Sequence, residues 1–183
     1  MQKLGIILGS IRKNRNGQRV MEEVVRASKT FEGFETEVLD LQDWPLPMYD
    51  LADGEEKTGI AKRWVDKIGE KDAFLVITPE YNHGYSSVLK NAIDYPKEQW
   101  VKKPISFIGY GGAAGGSRAI EQLRQVAVEL QMAPVRESLL IGGVWQVFDE
   151  EGRMKDQEFD LKVHNVLDQL LWWSQTLSSA RNK

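Results

Sequence analysis

The chain has no cysteine among its 183 residues. That excludes a disulfide scaffold, thiolate metal sites, iron–sulfur clusters and a cysteine nucleophile. Histidine is scarce too. His83 and His164 stand far apart in sequence, so no histidine cluster points to zinc. No apolar run approaches the roughly 20 residues of a membrane-spanning helix, which leaves the cytoplasm as the expected location. Met1–Leu8 is apolar over too few residues for a signal peptide and reads as a strand. Nor is there an excess of positive charge: 24 Lys and Arg face 27 Asp and Glu, for a formal net charge of −3. A nucleic-acid partner is therefore not expected, and any anion site must be local. With 42% hydrophobic and 28% charged residues, the composition is that of an ordinary globular protein. The length suits one domain over residues 1–183.

Strand and helix patterns alternate along the chain. Leu4–Leu8, Phe34–Leu41, Ala73–Thr78, Pro104–Tyr110 and Val135–Ile141 read as strands. Helical spacing recurs in Val20, Val24, Ala27 and Phe31, then in Ile60, Ala61, Trp64, Val65 and Ile68 with Thr58 as a candidate cap. It returns over Ser86–Asp94, Ala119–Leu130 and Leu161–Leu177. A long loop with Trp44, Pro45, Pro47 and Gly54 follows the second strand. Near-continuous apolar strands imply burial on both faces, hence a parallel sheet with helices on each side. Right-handed crossovers then favour a doubly wound five-stranded α/β sheet, and this size suits the flavodoxin-like order 2-1-3-4-5.

In such sheets ligands bind beyond the carboxyl ends of the strands, where three loops stand out. Gly9-Ser10-Ile11-Arg12-Lys13-Asn14-Arg15-Asn16-Gly17 leads into a helix, whose N-terminus favours a phosphate. It is neither a P-loop nor a dinucleotide fingerprint, and a polar loop with solvated Arg side chains is the plain alternative. Thr78-Pro79-Glu80-Tyr81-Asn82-His83-Gly84-Tyr85 offers Tyr81 or Tyr85 to a flat ring and backbone N–H groups around Asn82 to its acceptors. The plain alternative is a tight turn whose tyrosines pack on the next helix, with His83 as a surface residue. Gly109-Tyr110-Gly111-Gly112-Ala113-Ala114-Gly115-Gly116 has five glycines in eight positions, which permits close approach of backbone to a ligand. Together the loops suit a ligand with a phosphate at one end and a flat, hydrogen-bonding ring at the other. FMN has that shape, and it would carry the redox chemistry without a catalytic side chain.

These residues resemble the NADPH-dependent FMN reductase family of flavodoxin-like proteins, which includes FMN, quinone, chromate and azo reductases. The matching stretches are Gly9-Ser10-Ile11-Arg12 with Arg15 and Gly17, then Pro79-Glu80-Tyr81-Asn82, Leu89-Lys90-Asn91-Ala92-Ile93-Asp94, and Gly111-Gly112 with Gly115-Gly116-Ser117-Arg118-Ala119. The resemblance implies that Ser10, Arg12, Arg15, Gly17 and Gln18 surround the FMN phosphate. It implies that Pro79, Glu80, Tyr81, Asn82, Tyr110, Gly111 and Gly112 line the flavin ring. It further implies a homodimer or homotetramer with Leu89–Asp94 at or near the interface. The chain departs from many members after Asn82, where His83-Gly84-Tyr85-Ser86-Ser87 replaces a proline-containing turn.

The expected function is an FMN-containing oxidoreductase that takes electrons from NADPH or NADH. It passes them to a small acceptor, whether flavin, quinone, azo compound or metal oxyanion, by ping-pong kinetics. A flavodoxin-type electron carrier and a domain that has lost its flavin are the alternatives. Arg12, Arg15 and Arg118 are candidate partners for a 2′-phosphate. Trp64, Trp172 and Trp173 read as core or interface, while Trp44, Trp100 or Trp145 could wall a substrate pocket.

Overall fold

The computed structural model describes residues 1–52 and 55–181; Gly54 of the long loop lies outside them. The five strands are β1 (Gln2–Leu8), β2 (Phe34–Asp40), β3 (Ala73–Pro79), β4 (Pro104–Tyr110) and β5 (Ala133–Ile141). The helices are α1 (Asn16–Ser28), α2 (Gly59–Gly69), α3 (Ser87–Asp94), α4 (Ser117–Glu129) and α5 (Phe159–Arg181). All strand pairs are parallel, in the order β2-β1-β3-β4-β5. This is the expected flavodoxin-like arrangement.

Period-2 alternation explains the continuous apolar strands, because both faces are covered. Ile6, Leu8, Leu75, Ile77 and Ile108 face a core closed by α1 and α5. Ile7, Phe74, Val76, Ile105 and Phe107 face a second core closed by α2, α3 and α4. Trp64 and Trp100 are buried in the second core and donate their indole N–H groups to the Ala92 and Ile93 carbonyls. Trp44 packs edge-on against Trp64.

Local details depart from expectation where tertiary contacts or caps intervene. β2 stops at Asp40 because its carboxylate accepts the Gln42 N–H at 3.0 Å and starts a short 3₁₀ turn at Leu41. The Thr58 hydroxyl caps nothing; Gly59, at φ +56°, turns the chain into α2 instead. Ser86 is the true cap of α3, accepting the Leu89 N–H at 3.3 Å. α1 ends at Ser28, and Phe31 reaches the first core from the following turn. Asn91 holds the long loop against α3: its Oδ1 accepts the Tyr49 N–H at 2.8 Å and its Nδ2 donates to the Pro47 carbonyl at 2.7 Å.

Lys103 is buried just before β4, and its Nζ donates to the Ile68 and Gly69 carbonyls at 3.1 Å each. Burial pushes its pKa down to about 8 from 10.5. The unfolded chain therefore binds a proton that the folded chain has released between those values, and stability should rise with pH across that window. Urea unfolding at pH 7, 8.5 and 10 should show a steeper rise for the wild type than for Lys103→Met. Parallel curves would mean that the ammonium is not desolvated.

Candidate active site

The register aligns the carboxyl ends of the strands, with Leu8 opposite Asp40 and Ile77, Pro79 opposite Tyr110, and Tyr110 opposite Ile141. The loops leaving this edge form one cleft. Arg12, Arg15, Pro79, Glu80, Tyr81, Tyr110, Gly111 and Gly112 line it, with Lys13, Asn14, Asn16, Val144 and Trp145. Thus Arg12, Tyr81 and Gly112, from three separate loops, line one cleft.

The loop after β1 is tied both to its neighbour strand and to the loop after β3. Ser10 is fully buried beneath the cleft, its hydroxyl 2.9 Å from that of Tyr81. The Arg15 guanidinium is also buried, donating to the Ser10 carbonyl and pairing with Asp40 at the end of β2. Arg12 remains exposed, its guanidinium carbon 5.7 Å from the centre of the Tyr81 ring, within cation–π range. α1 begins at Asn16 with no acidic residue in its first turn and no side-chain cap. Asn16, its first residue, lines the cleft, which brings the positive end of the helix dipole to that region. Gly17 is required by packing: a Cβ there would stand 2.3 Å from the Tyr110 hydroxyl.

After β3 the chain makes a tight turn. Tyr81 and Gly84 exchange backbone hydrogen bonds at 2.8 and 3.0 Å, while Asn82 and His83 take φ of +49° and +72°. Both central residues are left-handed, as a type I′ turn requires. This puts the Asn82 side chain at the turn tip and outside the cleft lining. Tyr81 lines the cleft, whereas Tyr85 packs on the second core. The Glu80 carboxylate pairs with Arg118 and accepts the Arg118 backbone N–H at 3.1 Å. Burial pushes the Glu80 pKa up, but Arg118, by its hydrogen bonds and its charge, more than offsets this and holds the carboxyl below its usual range. Arg118 Nη1 also lies 2.7 Å from His83 Nε2. An arginine can only donate, so the His83 nitrogen facing it is an acceptor.

The glycine-rich loop divides its work. Gly109 and Gly116 let β4 and the start of α4 touch backbone to backbone. Gly111 and Gly112 instead line the cleft. Gly111 and Gly112 are held by β5 and the turn after it: Gly111 N–H donates to the Ile141 carbonyl at 3.1 Å, and Val144 N–H to the Gly111 carbonyl at 3.0 Å. Tyr110 is buried at its hydroxyl, which burial keeps protonated far above neutral pH.

Of the residues expected around a phosphate, Arg12 and Arg15 line the cleft, Ser10 and Gly17 are buried outside its lining, and Gln18 is not brought to it. Gln18 lies on the exposed side of α1 and donates to Glu22 at 3.1 Å, because one helical step turns it away from Gly17. Of the three candidate 2′-phosphate partners, Arg15 and Arg118 are held by carboxylates, and Arg12 pairs with none among the described residues. Sequence reasoning missed Asp40 as the Arg15 partner and Val144 as a lining residue, and left Trp145 undecided among three tryptophans. Gly142-Gly143, directly after β5 on this edge, was the available signal for the last two. Among the described residues no group of three or more His, Cys, Asp or Glu is placed to hold a metal, and no helix is long and apolar enough to cross a membrane.

The sequence model of the NADPH-dependent FMN reductase family matches residues 2–146. An NAD(P)H-dependent FMN reductase of Schizosaccharomyces pombe is 36% identical over 148 residues, covering 76% of this chain and 73% of that one. A quinone reductase of Pseudomonas putida is 31% identical over 164 residues, covering 84% and 85%. Among solved structures, FerB, a flavoenzyme NAD(P)H:(acceptor) oxidoreductase of Paracoccus denitrificans, superposes with a TM-score of 0.79. That match covers 96% of this chain and 98% of FerB at 24% identity, a likeness of fold. With the expected sheet order and all three loops on one cleft, the chain belongs to the NADPH-dependent FMN reductase family, as an oxidoreductase that works with FMN and NAD(P)H.

Proposed function

We propose that this cleft holds FMN with its phosphate at the head of α1 and its ring between the loops after β3 and β4. Two buried polar atoms among the described residues lack a partner: Arg15 Nε and the Tyr110 hydroxyl. Buried polar groups are rarely left so, and both flank the first turn of α1, where an anion would satisfy them. One cleft thus joins a cationic helix head to an aromatic, glycine-floored seat, and that junction carries the reading.

Arg12, Arg15 and the start of α1 at Asn16 and Gly17 would hold the phosphate by charge-assisted hydrogen bonds. Ser10 would orient Tyr81, and Gly17 would admit the Tyr110 hydroxyl to that end. Pro79, Glu80, Tyr81, Tyr110, Gly111 and Gly112 would line the ring. Among the described residues, the backbone N–H groups of Asn82 and Gly112 are not spent on other backbone groups, and they would meet its acceptors. FMN, when bound, supplies the transfer of electrons between donor and acceptor. The net reaction is NAD(P)H + H⁺ + quinone → NAD(P)⁺ + hydroquinone, with flavins, azo compounds and metal oxyanions as further acceptors. The cleft measures about 220 Å³, below the roughly 300–1,000 Å³ of sites that enclose a whole ligand. A ring on its floor would keep an outer face open, where donor and acceptor take turns, giving ping-pong kinetics. In this reading residues 1–183 act as one domain, in the cytoplasm, as a homodimer or homotetramer.

The purified protein should retain FMN, absorb in the visible, and bleach on anaerobic addition of NADPH. Arg12→Ala should weaken FMN binding by about tenfold, the value of one charge-assisted bond. A protein that keeps FMN but does not bleach with NADPH or NADH would be an electron carrier. One that ignores added FMN would end the reading.

A further inference from the structure

Trp145 is an apolar ring in an unfavourable place. The residue is 62% exposed, yet it lines the same cleft as Tyr81 and Gly112. The residues on either side of it are tightly held. Gly143 N–H donates to the Gly112 carbonyl at 3.1 Å, Val144 N–H to the Gly111 carbonyl at 3.0 Å, and Gln146 N–H to the Gly143 carbonyl at 2.8 Å. Val144, the preceding residue, is buried in the first core. The outer edge of the indole stands 3.7 Å from where a Cβ on Gly112 would be, so the ring borders the cleft floor. Among the described residues, Trp145 is also the one tryptophan that packs on no other aromatic ring. Trp44 pairs with Trp64, Trp100 with Phe74, and Trp172 with Trp173.

We propose that Trp145 is the specificity-determining wall for flat, conjugated acceptors such as quinones. The proposal rests on the reductase reading above. An electron-poor quinone ring stacks on an electron-rich indole, and the stack recovers apolar area that Trp145 otherwise leaves in water. A compact, highly charged acceptor such as ferricyanide gains nothing from that face. The wall therefore discriminates by shape and π character, and it acts on acceptor binding.

The test uses the flavin-loaded full chain as wild type, Trp145→Ala and Trp145→Phe. An exposed ring leaves no core cavity when removed, so all three should fold. Equilibrium dialysis against a naphthoquinone, without NADPH, should give a Kd roughly threefold to tenfold higher for Trp145→Ala and near wild type for Trp145→Phe. In turnover, KM for the naphthoquinone should rise in the same proportion, and by more than KM for ferricyanide. Equal quinone Kd in wild type and Trp145→Ala would overturn the proposal with the reductase reading untouched. So would a changed oligomeric state in Trp145→Ala, which would assign the ring to a subunit contact, or a tenfold loss of FMN affinity, which would assign it to the cofactor. If the wild type holds flavin but never accepts electrons from NADPH, the reductase reading fails, and the dialysis comparison still judges Trp145.

Discussion

Gly116→Ala is expected to destabilise the cofactor-free protein by at least about 3 kcal/mol, and Gly112→Ala, in the same loop, by no more than about 0.5 kcal/mol. Gly116 has φ +91°, and a Cβ there would stand 2.5 Å from Gly109 Cα and 2.6 Å from the Tyr110 nitrogen. Those are backbone atoms of β4, which lies inside the sheet between β3 and β5. They cannot give way without breaking pairing on one side or the other. The left-handed backbone adds about 1–2 kcal/mol for any residue with a Cβ. At Gly112 the nearest atom to a new Cβ is the Trp145 ring edge at 3.7 Å, an ordinary contact. Thermal unfolding without FMN should separate the two variants by about 6–10 °C. Similar losses in both would mean that β4 and α4 do not approach as closely as described.

Asp40→Asn is expected to cost about 3 kcal/mol, far more than an exposed carboxylate would. The Arg15 side chain is 5% exposed and that of Asp40 15%. Asparagine keeps the shape and the acceptor for the Gln42 N–H but leaves the guanidinium without a counter-charge. An anion at the head of α1 would replace part of what is lost. Inorganic phosphate should therefore stabilise Asp40→Asn more than the wild type, by the linkage of binding to folding. Urea titrations of both proteins, with and without phosphate at constant ionic strength, provide the measurement. Equal phosphate effects would show that Arg15 does not face the anion position.

The same two sites show how far the residues could be read along the chain. The Gly-rich loop was recognisable as a place of close approach, but two of its glycines serve β4 against α4 and two serve the cleft. No spacing rule separates these uses, because the separation depends on where α4 lies over β4. Arg15 was recognisable as a cation beside a helix start. Its partner sits 25 residues on and reaches it because β2 pairs with β1 in the register that sets Asp40 opposite Leu8. The turn at Asn82 and His83 was legible as a turn, though its left-handed pair, which carries the Asn82 side chain away from the cleft, was not.

The sequence by itself determined the five strands, the five helices and their parallel, two-sided layering. Each rests on interactions within a few residues, on apolar period and on the avoidance of an unpaired backbone. It also determined that the loops after β1, β3 and β4 leave the same edge of the sheet, since the carboxyl edge of a doubly wound sheet is set by chain direction. Only the tertiary structure decided that Tyr81 and not Tyr85 meets the cleft, that Glu80 is tied to Arg118, and that Trp145 closes one side. Those outcomes depend on contacts between residues tens of positions apart. Their free energy depends on distance and burial, which exist only once the sheet has brought the loops together.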